Sequence, residues 1–242
     1  MITIKKNKKI KIQIPEFLCD GPIGEHLNQH DLLKSLNKYS FSCFIGRPGS
    51  GKSSLAIAFL TQKNPKIFKK THHHILCIVP SNSLGSMKKN PFSVLPEENM
   101  YTELSDDIID DIYNRISVYS EDNEKTILYL DDVGSSLKAS KYIQDILKKI
   151  VYNRRHLKCN IFILVQSYVD MPLSIRKTIS NAIIFRPSKR EMKTLFEEVF
   201  ESKRSVYEEI MRVSFVKPHD FLFLNIPDQK IFSNWNEIII ID

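Results

Sequence analysis

Nine residues in the first quarter of the chain limit its possible folds more than any other feature. The segment Gly46–Ser54 reads GRPGSGKSS, and it lies between the apolar run Phe41–Ile45 and the helix-like stretch Lys52–Leu60. A buried strand, a loop of the form G-x-x-x-x-G-K-[ST] and a helix, in this order, make a phosphate-binding loop. We therefore expect an α/β domain that binds a nucleotide.

Each residue type in this loop has a chemical task. The three glycines allow backbone N–H groups to point at a β-phosphate, and the following helix adds the positive end of its dipole. Lys52 brings a charge to the β- and γ-phosphates, and Ser53 offers a hydroxyl to Mg²⁺. The predicted nucleotide-binding residues are Gly46, Gly49, Ser50, Gly51, Lys52, Ser53 and Ser54. A glycine turn without a ligand is the alternative, and the Gly-Lys-Ser register argues against it.

Short apolar runs recur along the chain and alternate with helical patterns. After Phe41–Ile45 they are Ile75–Val79, Thr126–Leu130, Ile161–Val165 and Ala182–Phe185. Such runs are typical of strands buried on both faces, and their alternation with helices predicts a mostly parallel sheet with helices on both faces.

The C-terminal part predicts two helices followed by two strands. The helices are Met192–Phe200 and Val206–Val213, and the strands are Phe221–Asn225 and Glu237–Ile241. The stretch 80–102 is rich in Ser, Asn, Gly and Pro, so we expect an irregular surface loop there.

The length and apolar content fit one domain with appendages. The chain has 242 residues, of which 42% are apolar. We predict a basic N-terminal extension over residues 1–38 and a P-loop ATPase domain over residues 39–242. No apolar run approaches the roughly 18 residues of a membrane span, and the N-terminus lacks the apolar stretch of a signal peptide. We therefore expect an intracellular protein with no transmembrane segment.

Two sets of potential metal ligands favour structural roles. The four cysteines, at positions 19, 43, 77 and 159, lie far apart, and most of them are in apolar runs, so we interpret them as buried apolar side chains. The tract His72–His74 resembles a metal site, but neighbouring residues at the start of a strand point to alternate faces.

The net charge of +7 is unevenly distributed. The first twelve residues hold five lysines and no acid, whereas residues 91–114 hold seven acids and no base. Residues 138–158 carry seven basic residues against the single Asp145. This segment is a candidate nucleic-acid surface, with a solvated helix face as the alternative.

The pair Asp131-Asp132 ends an apolar strand pattern and has the form of a Walker B motif. Asp131 is predicted to hold Mg²⁺ together with Ser53, and Asp132 to orient or deprotonate the attacking water. Hydrolytic motors more often have Glu at the second position, so the identity of the base stays open. A capped turn after a core strand is the alternative for the pair.

Two further positions are candidates for catalysis. Gln166 ends the next strand, where its amide can sense the γ-phosphate or simply cap the strand. Arg154 and Arg155 end the basic helix pattern. An arginine there can stabilise transition-state charge at the site of a neighbouring subunit, and we prefer Arg155 for this role. A cation favoured at a helix C-terminus is the competing interpretation.

Five motifs together resemble one family of ATPases. They are Gly46–Ser54, Leu130–Asp132, Arg154–His156, Leu164–Ser167 and Pro172–Arg176. In this order they are similar to the genome-packaging ATPases of poxviruses, other large eukaryotic DNA viruses and virophages, a branch of the FtsK/HerA superfamily.

The resemblance implies a RecA-like sheet in which the strand ending in Gln166 lies between those bearing the P-loop and Asp131. It further implies a homo-oligomeric ring, pentameric or hexameric, that uses ATP and Mg²⁺ to pull double-stranded DNA into a capsid. The implied partners are capsid or portal components, and the implied locations are the virion and the viral factory in the host cytoplasm. By the same analogy Arg176 is a second arginine facing a phosphate or a neighbouring subunit.

Three other functions are compatible with the P-loop. The stretch Leu130–Gly134 also resembles a motif of AAA+ helicase-loader-like proteins, although these have a Thr/Ser-Asn tip where this chain has Gln166-Ser167. A small-molecule kinase would need an acceptor pocket and an Arg-rich lid. A protein that only binds nucleotide is the remaining alternative.

Overall fold

The computed structural model describes residues 31–34, 36–63, 66–85, 90–200 and 204–240. Its strands are β1 (Phe41–Ile45), β2 (His74–Ile78), β3 (Met100–Tyr101), β4 (Thr126–Asp131), β5 (Cys159–Val165), β6 (Asn181–Phe185), β7 (Phe221–Asn225), β8 (Lys230–Ser233) and β9 (Asn236–Ile238). Its helices are α1 (Asp31–Lys34), α2 (Lys52–Thr61), α3 (Ser81–Gly85), α4 (Asp106–Glu121), α5 (Gly134–Ala139), α6 (Lys141–Asn153), α7 (Leu173–Arg176), α8 (Lys189–Val199) and α9 (Arg204–Ser214). Most of the predicted basic extension, including its lysines and Cys19, lies outside the described residues.

The described strands form one sheet in the order β3-β2-β4-β5-β1-β6-β7-β8-β9. From β3 to β6 all neighbours in this order are parallel, and β7, β8 and β9 continue the sheet in antiparallel fashion. The prediction of a mostly parallel sheet is confirmed. Strand β5 lies between β1 and β4, which is the arrangement that the family resemblance implies.

Helices cover both faces of the sheet, also as predicted. Alternate residues of each central strand enter two different apolar clusters, so that Cys43 and Ile45 pack with α4, α6 and α8. Phe44 packs on the opposite face with α2 and with Leu32, Leu33 and Leu36. The division at residue 39 stays a prediction, and these three leucines are buried in the same core as β1.

Local sequence explains where the two long helices beside β4 begin. The Ser105 hydroxyl accepts a hydrogen bond from the backbone N–H of Ile108 and caps α4, whose first turn carries two aspartates. Ser140 caps α6 in the same way through Ile143. Each helix buries an apolar stripe with i, i+3, i+4 spacing, which attaches it to the sheet.

The structure corrects two sequence predictions. The predicted irregular stretch 80–102 contains α3, two 3-10 turns and the edge strand β3, and its Phe92 is buried against Tyr129. The predicted strand Glu237–Ile241 is displaced, since β9 ends at Ile238 and Ile239 is exposed. Strand β9 is the edge strand of the described sheet and pairs only with β8. An apolar run at such an edge lacks a second strand to hydrogen-bond its backbone, so apolar residues by themselves do not continue β9 beyond Ile238.

Candidate functional site

The P-loop joins β1 to α2 at the carboxyl edge of the parallel strands. At Gly46 an added Cβ would lie 2.6 Å from Ser50 Oγ and 2.9 Å from Phe185 Cβ, so no side chain fits. Gly49 and Gly51 have φ angles of +76° and +104°, which residues with a side chain rarely adopt. These three positions therefore need glycine. The loop ends at Gly51, and α2 begins at Lys52, so the N-terminus of this helix lies at the loop.

Ser53 and Asp131 lie together beside the loop. The Ser53 hydroxyl donates a hydrogen bond of 3.2 Å to Asp131 Oδ2, and Asp131 is only 2% exposed. Burial raises the pKa of the Asp131 carboxyl above its ordinary value, while the charge of Lys52 and the bond from Ser53 oppose the shift. A hydroxyl and a buried carboxylate, both oxygen donors, fit a Mg²⁺ ion, whose charge would offset the burial of the carboxylate.

Asp132 and Gln166 form a second pair at the same edge. Gln166 Nε2 donates a hydrogen bond of 3.1 Å to Asp132 Oδ1, and both residues are exposed. Asp132 has a φ of 53°, in the left-handed region, where Asp is one of the few residues found with any frequency. The structure thus brings together both candidates for water positioning. Their catalytic roles stay predictions.

The arginines at the end of α6 lie at the opposite edge of the sheet. Arg154 caps the helix, and its guanidinium donates to the carbonyl of Val151 and to Ser180 Oγ. Arg155 is exposed and precedes β5, whose seven residues span about 23 Å up to Gln166. The structure therefore does not bring Arg155 to the P-loop of its own chain.

Arg176 is engaged within its own chain. Its guanidinium lies 2.7 Å from Glu198 Oε1 and 4.9 Å from the ring centre of Tyr168, and its side chain is 12% exposed. This arrangement explains Arg176 as a link between α7 and α8. The analogy with a phosphate-facing arginine stays a prediction.

Three residues that the sequence interpretation missed line a cavity of 560 Å³ beside Ser54 and Ala58. They are Phe185, at the end of β6, Phe221, at the start of β7, and His219 in the loop before it. His219 Nδ1 lies 3.0 Å from the carbonyl oxygen of Ser50, which can only accept, so Nδ1 carries the proton. No local pattern marks these residues, because they lie more than 100 positions from the loop that they contact.

A further carboxylate, also missed, holds the segment after Gln166. Glu191 Oε1 accepts hydrogen bonds from Ser167 Oγ at 2.8 Å and from the backbone N–H of Tyr168 at 2.6 Å. Ser167 N donates in turn to Asp170. This arrangement ties the tip of β5 to the first turn of α8.

The remaining candidates have structural roles. Cys43, Cys77 and Cys159 are buried free thiols, as predicted. The histidine rings have separate partners: His72 contacts Asn160, His73 contacts the backbone of Lys125, and His74 contacts Glu124. Among the described residues no group of three or more His, Cys, Asp or Glu side chains could together hold a metal ion. Within the same residues no helix combines the length and apolarity needed to span a membrane.

Comparison with known proteins gives one family and several structural likenesses. The family model described as Poxvirus A32 protein matches residues 28–240. Uncharacterized protein 015R of Frog virus 3 (isolate Goorha) is 30% identical over 146 residues, which make up 59% of this chain and 42% of that protein. The match thus spans less than half of that relative's length.

Among solved structures, the DNA-packaging ATPase B204 from Sulfolobus Turreted Icosahedral Virus has a TM-score of 0.63 at 16% identity, over 83% of this chain and 99% of that chain. The genome packaging NTPase B204 from Sulfolobus turreted icosahedral virus 2, in complex with ATP-gammaS, has a TM-score of 0.60 at 15% identity, over 83% and 98%. EssC (ATPases 2 and 3) from Geobacillus thermodenitrificans has a TM-score of 0.58 at 12% identity, over 82% and 40%. At such identities the likeness shows a shared P-loop ATPase fold.

Proposed function

The chain belongs to the Poxvirus A32 protein family, and from this membership and its site we propose that it is an ATP-hydrolysing motor that packages viral double-stranded DNA into a capsid. One observation carries the hydrolytic part of the proposal. Two hydrogen-bonded pairs lie at the same edge of the sheet as the P-loop. Ser53 donates to Asp131 in one pair, and Gln166 donates to Asp132 in the other. The packaging role is supported by the family and by the structural likeness to B204, a DNA-packaging ATPase.

The site residues divide the work of hydrolysis among charge, orientation and proton transfer. Lys52 and the N–H groups of the loop hold the phosphates, and Ser53 with Asp131 would hold Mg²⁺, which neutralises phosphate charge when bound. Asp132 orients a water molecule and accepts its proton, with Gln166 fixing the direction of the carboxylate.

The arrangement around this site also bears on the alternatives. Strand β5 separates β1 from β4, and its tip carries Gln166 rather than the Asn of a helicase loader. After β6 the described chain forms two helices and then returns to the sheet as β7, β8 and β9. A kinase would need an acceptor pocket, whereas the paired Asp131 and Asp132 suit the activation of water. These features favour the motor.

The larger setting of the motor is part of the proposal. Arg155 lies at the amino edge of the sheet, so its action on a phosphate would require a neighbouring copy in a homo-oligomeric ring of five or six subunits. The ring would act with capsid or portal components in the viral factory and remain associated with the virion. Double-stranded DNA would be held through its phosphates, since a packaging motor moves along every sequence.

One assay tests the hydrolytic and the DNA-dependent parts together. We expect the protein to release inorganic phosphate from ATP, to do so faster with double-stranded DNA, and to lose the stimulation as salt rises. Lys52→Ala should lower the rate by about 10²-fold or more, because the charge on the phosphates is lost. Lys149→Ala, which removes an exposed lysine of α6 far from the P-loop, should not. Hydrolysis that survives Lys52→Ala would overturn the site, and hydrolysis indifferent to DNA would overturn the motor.

A further inference from the structure

Three basic residues, each followed by proline, surround one cavity beside the P-loop. They are Arg47 in the loop itself, Arg186 directly after β6 and Lys217 shortly before β7. All three line one cavity of 450 Å³ that shares Gly49 and Ser50 with the P-loop but does not include Lys52 or Ser53. We call Arg47, Arg186 and Lys217 the basic rim.

The charges of the basic rim are available to a ligand. All three side chains are exposed, and within the described residues none of them forms an ion pair with an acid. The acid that lines the cavity is Asp220, whose carboxylate accepts the backbone N–H groups of Lys217 at 2.6 Å and Val216 at 2.9 Å. These bonds, together with the charge of Lys217, lower the pKa of Asp220, so its carboxylate is ionised, and the bonds direct it toward the backbone of its own loop.

The backbone around the basic rim is held in an uncommon conformation. Arg186 has a φ of 30° and His219 a φ of 66°, both in the left-handed region that residues other than glycine seldom occupy. The Asp220 carboxylate and its bond from Asn234 fix the loop that carries Lys217 and His219. Such strain persists only where the surroundings enforce it, and it is concentrated at functional sites.

The basic rim is also connected to the nucleotide site. Arg47 is a residue of the P-loop, and the ring of His219 donates to the carbonyl of Ser50. Phe185, next to Arg186, is the residue whose Cβ leaves no space for a side chain at Gly46. A change in the conformation of the P-loop on hydrolysis would therefore shift the residues of the basic rim through these contacts.

The spacing of the rim suits a regular row of phosphates. Its residues follow or precede β1, β6 and β7, which are neighbours in the sheet and lie about 4.8 Å apart. The three strand ends therefore span about 10 Å of the sheet edge, a width that faces more than one phosphate of a DNA strand.

We infer that the basic rim binds the phosphate backbone of double-stranded DNA. This inference rests on the proposed function, because it assigns the DNA contact of the motor to a surface beside the P-loop. Exposed basic side chains on loops at one sheet edge suit a ligand that is recognised through its phosphate charges and not through its base sequence. A grip at this place couples DNA contact to the state of the nucleotide through Arg47 and His219.

The basic segment 138–158 is the competing surface, and its cations are more fully engaged. Lys138 pairs with Asp170, Lys141 with Asp145, Lys158 donates to the carbonyl of Ser120, and Lys148 lies over the ring of Tyr152. The acidic helix α4 packs beside it, with Asp106 bound by Ser140 and Asp110 by Tyr142. Their carboxylates, next to the basic segment, would repel a polyanion.

The test compares two double variants with the same loss of charge. The affinity for a fluorescent duplex of mixed sequence is measured across salt concentrations with ATP-gammaS present. We expect Arg186→Ala with Lys217→Ala to weaken binding and to reduce the slope of log K against log salt by about 1.8, or 0.9 for each lost phosphate contact. Lys141→Ala with Lys149→Ala should leave the slope at the wild-type value.

Two results would contradict DNA binding by the basic rim. One is a wild-type slope for the Arg186/Lys217 variant, and the other is an equal reduction in the control variant, which would indicate net charge alone. Arg186→Lys with Lys217→Arg keeps the charges and should restore the slope, which separates loss of contact from loss of folding. If the wild-type protein itself does not bind the duplex, the proposed function fails. If it binds and the rim variant binds with the same slope, only the rim fails.

Discussion

At the scale of single residues, backbone conformation decides what each polar group of the site can do. Asp131 continues β4 and is buried against Ser53, whereas Asp132, one residue later, turns through a positive φ and faces Gln166 at the surface. Two adjacent aspartates thus have different environments. The roles predicted for them from the sequence, Mg²⁺ binding for Asp131 and water activation for Asp132, stay predictions, and the contact of Asp132 with Gln166 follows from the strand order.

Asp132→Asn should separate charge from conformation at the candidate base. Asn tolerates the left-handed region as well as Asp, so the backbone should be kept. We expect kcat for ATP hydrolysis to fall by about 10²–10⁴-fold, the usual contribution of a general base, with little change in KM. Steady-state phosphate release measures both. A variant with wild-type kcat would show that Asp132 does not accept the proton.

Asp131→Asn should have opposite effects on activity and stability. Because burial raises the pKa of Asp131, the ionised carboxylate opposes folding at neutral pH when no cation is bound. We expect the variant to lose Mg²⁺-dependent hydrolysis and, in the absence of Mg²⁺, to be at least as stable as wild type in urea. As pH falls toward the raised pKa, wild type should gain stability and the difference should shrink. A large loss of stability at pH 7 without Mg²⁺ would contradict this account.

At the scale of elements, continuous apolar runs were reliable and short edge elements were not. The predicted runs for β1, β2, β4, β5, β6 and β7 agree with the structure to within two residues, because strands buried on both faces need apolar residues throughout. Strands β3 and β8 are two and four residues long and have no such run. Their place is set by the neighbouring strand, which a single sequence does not reveal.

A polar contact at the opposite edge holds three of these elements together. His72, before β2, contacts the Asn160 side chain of β5 at 2.8 Å, and Asn160 accepts the backbone N–H of Tyr39 before β1. Burial lowers the pKa of His72 to about 4 from an ordinary value of 6.5. The neutral ring is therefore the form that fits the fold.

The stability of the protein should depend on the titration of His72. The unfolded chain binds a proton at His72 below about pH 6.5 and the folded chain only near pH 4, so stability is complete above pH 6.5 and is lost between these values. The loss is on the order of 3 kcal/mol. We expect His72→Gln to flatten the dependence of the free energy of unfolding on pH between 7 and 4. His156→Gln, at an exposed histidine, should not; equal slopes in both variants would exclude His72 as the cause.

At the scale of the whole molecule, the two sheet edges carry different parts of the proposed motor. The carboxyl edge carries the P-loop, the Ser53–Asp131 and Asp132–Gln166 pairs, and the basic rim. Arg154 and Arg155 lie at the amino edge. A single copy thus contains a nucleotide site and an arginine that face in opposite directions. This geometry argues against action of Arg155 on the P-loop of its own chain, and its role between subunits stays a prediction.

Mixing two inactive variants tests the role of Arg155. We expect Arg155→Ala to lower hydrolysis by about 10³-fold or more if it acts as an arginine finger. Mixed with Lys52→Ala subunits, it should recover part of the activity, because an intact P-loop can then meet an intact arginine on a neighbour. Arg154→Ala should instead lower stability, since Arg154 binds Val151 and Ser180 of its own chain. The absence of recovery on mixing would assign Arg155 to a structural role.

The amino-acid sequence by itself determined the α/β class, the P-loop, the glycines within it and the carboxylates at the end of β4. These features are local, because a glycine turn, a helix start and an apolar run are each set by residues within about ten positions. The tertiary structure decided which distant residues come together: Gln166 with Asp132, His219 with Ser50, and Arg186 and Lys217 around the same cavity as Arg47. Such contacts depend on the strand order and on which loops lie side by side at the sheet edge. Local sequence patterns do not show either, because the contacting residues are far apart in the chain.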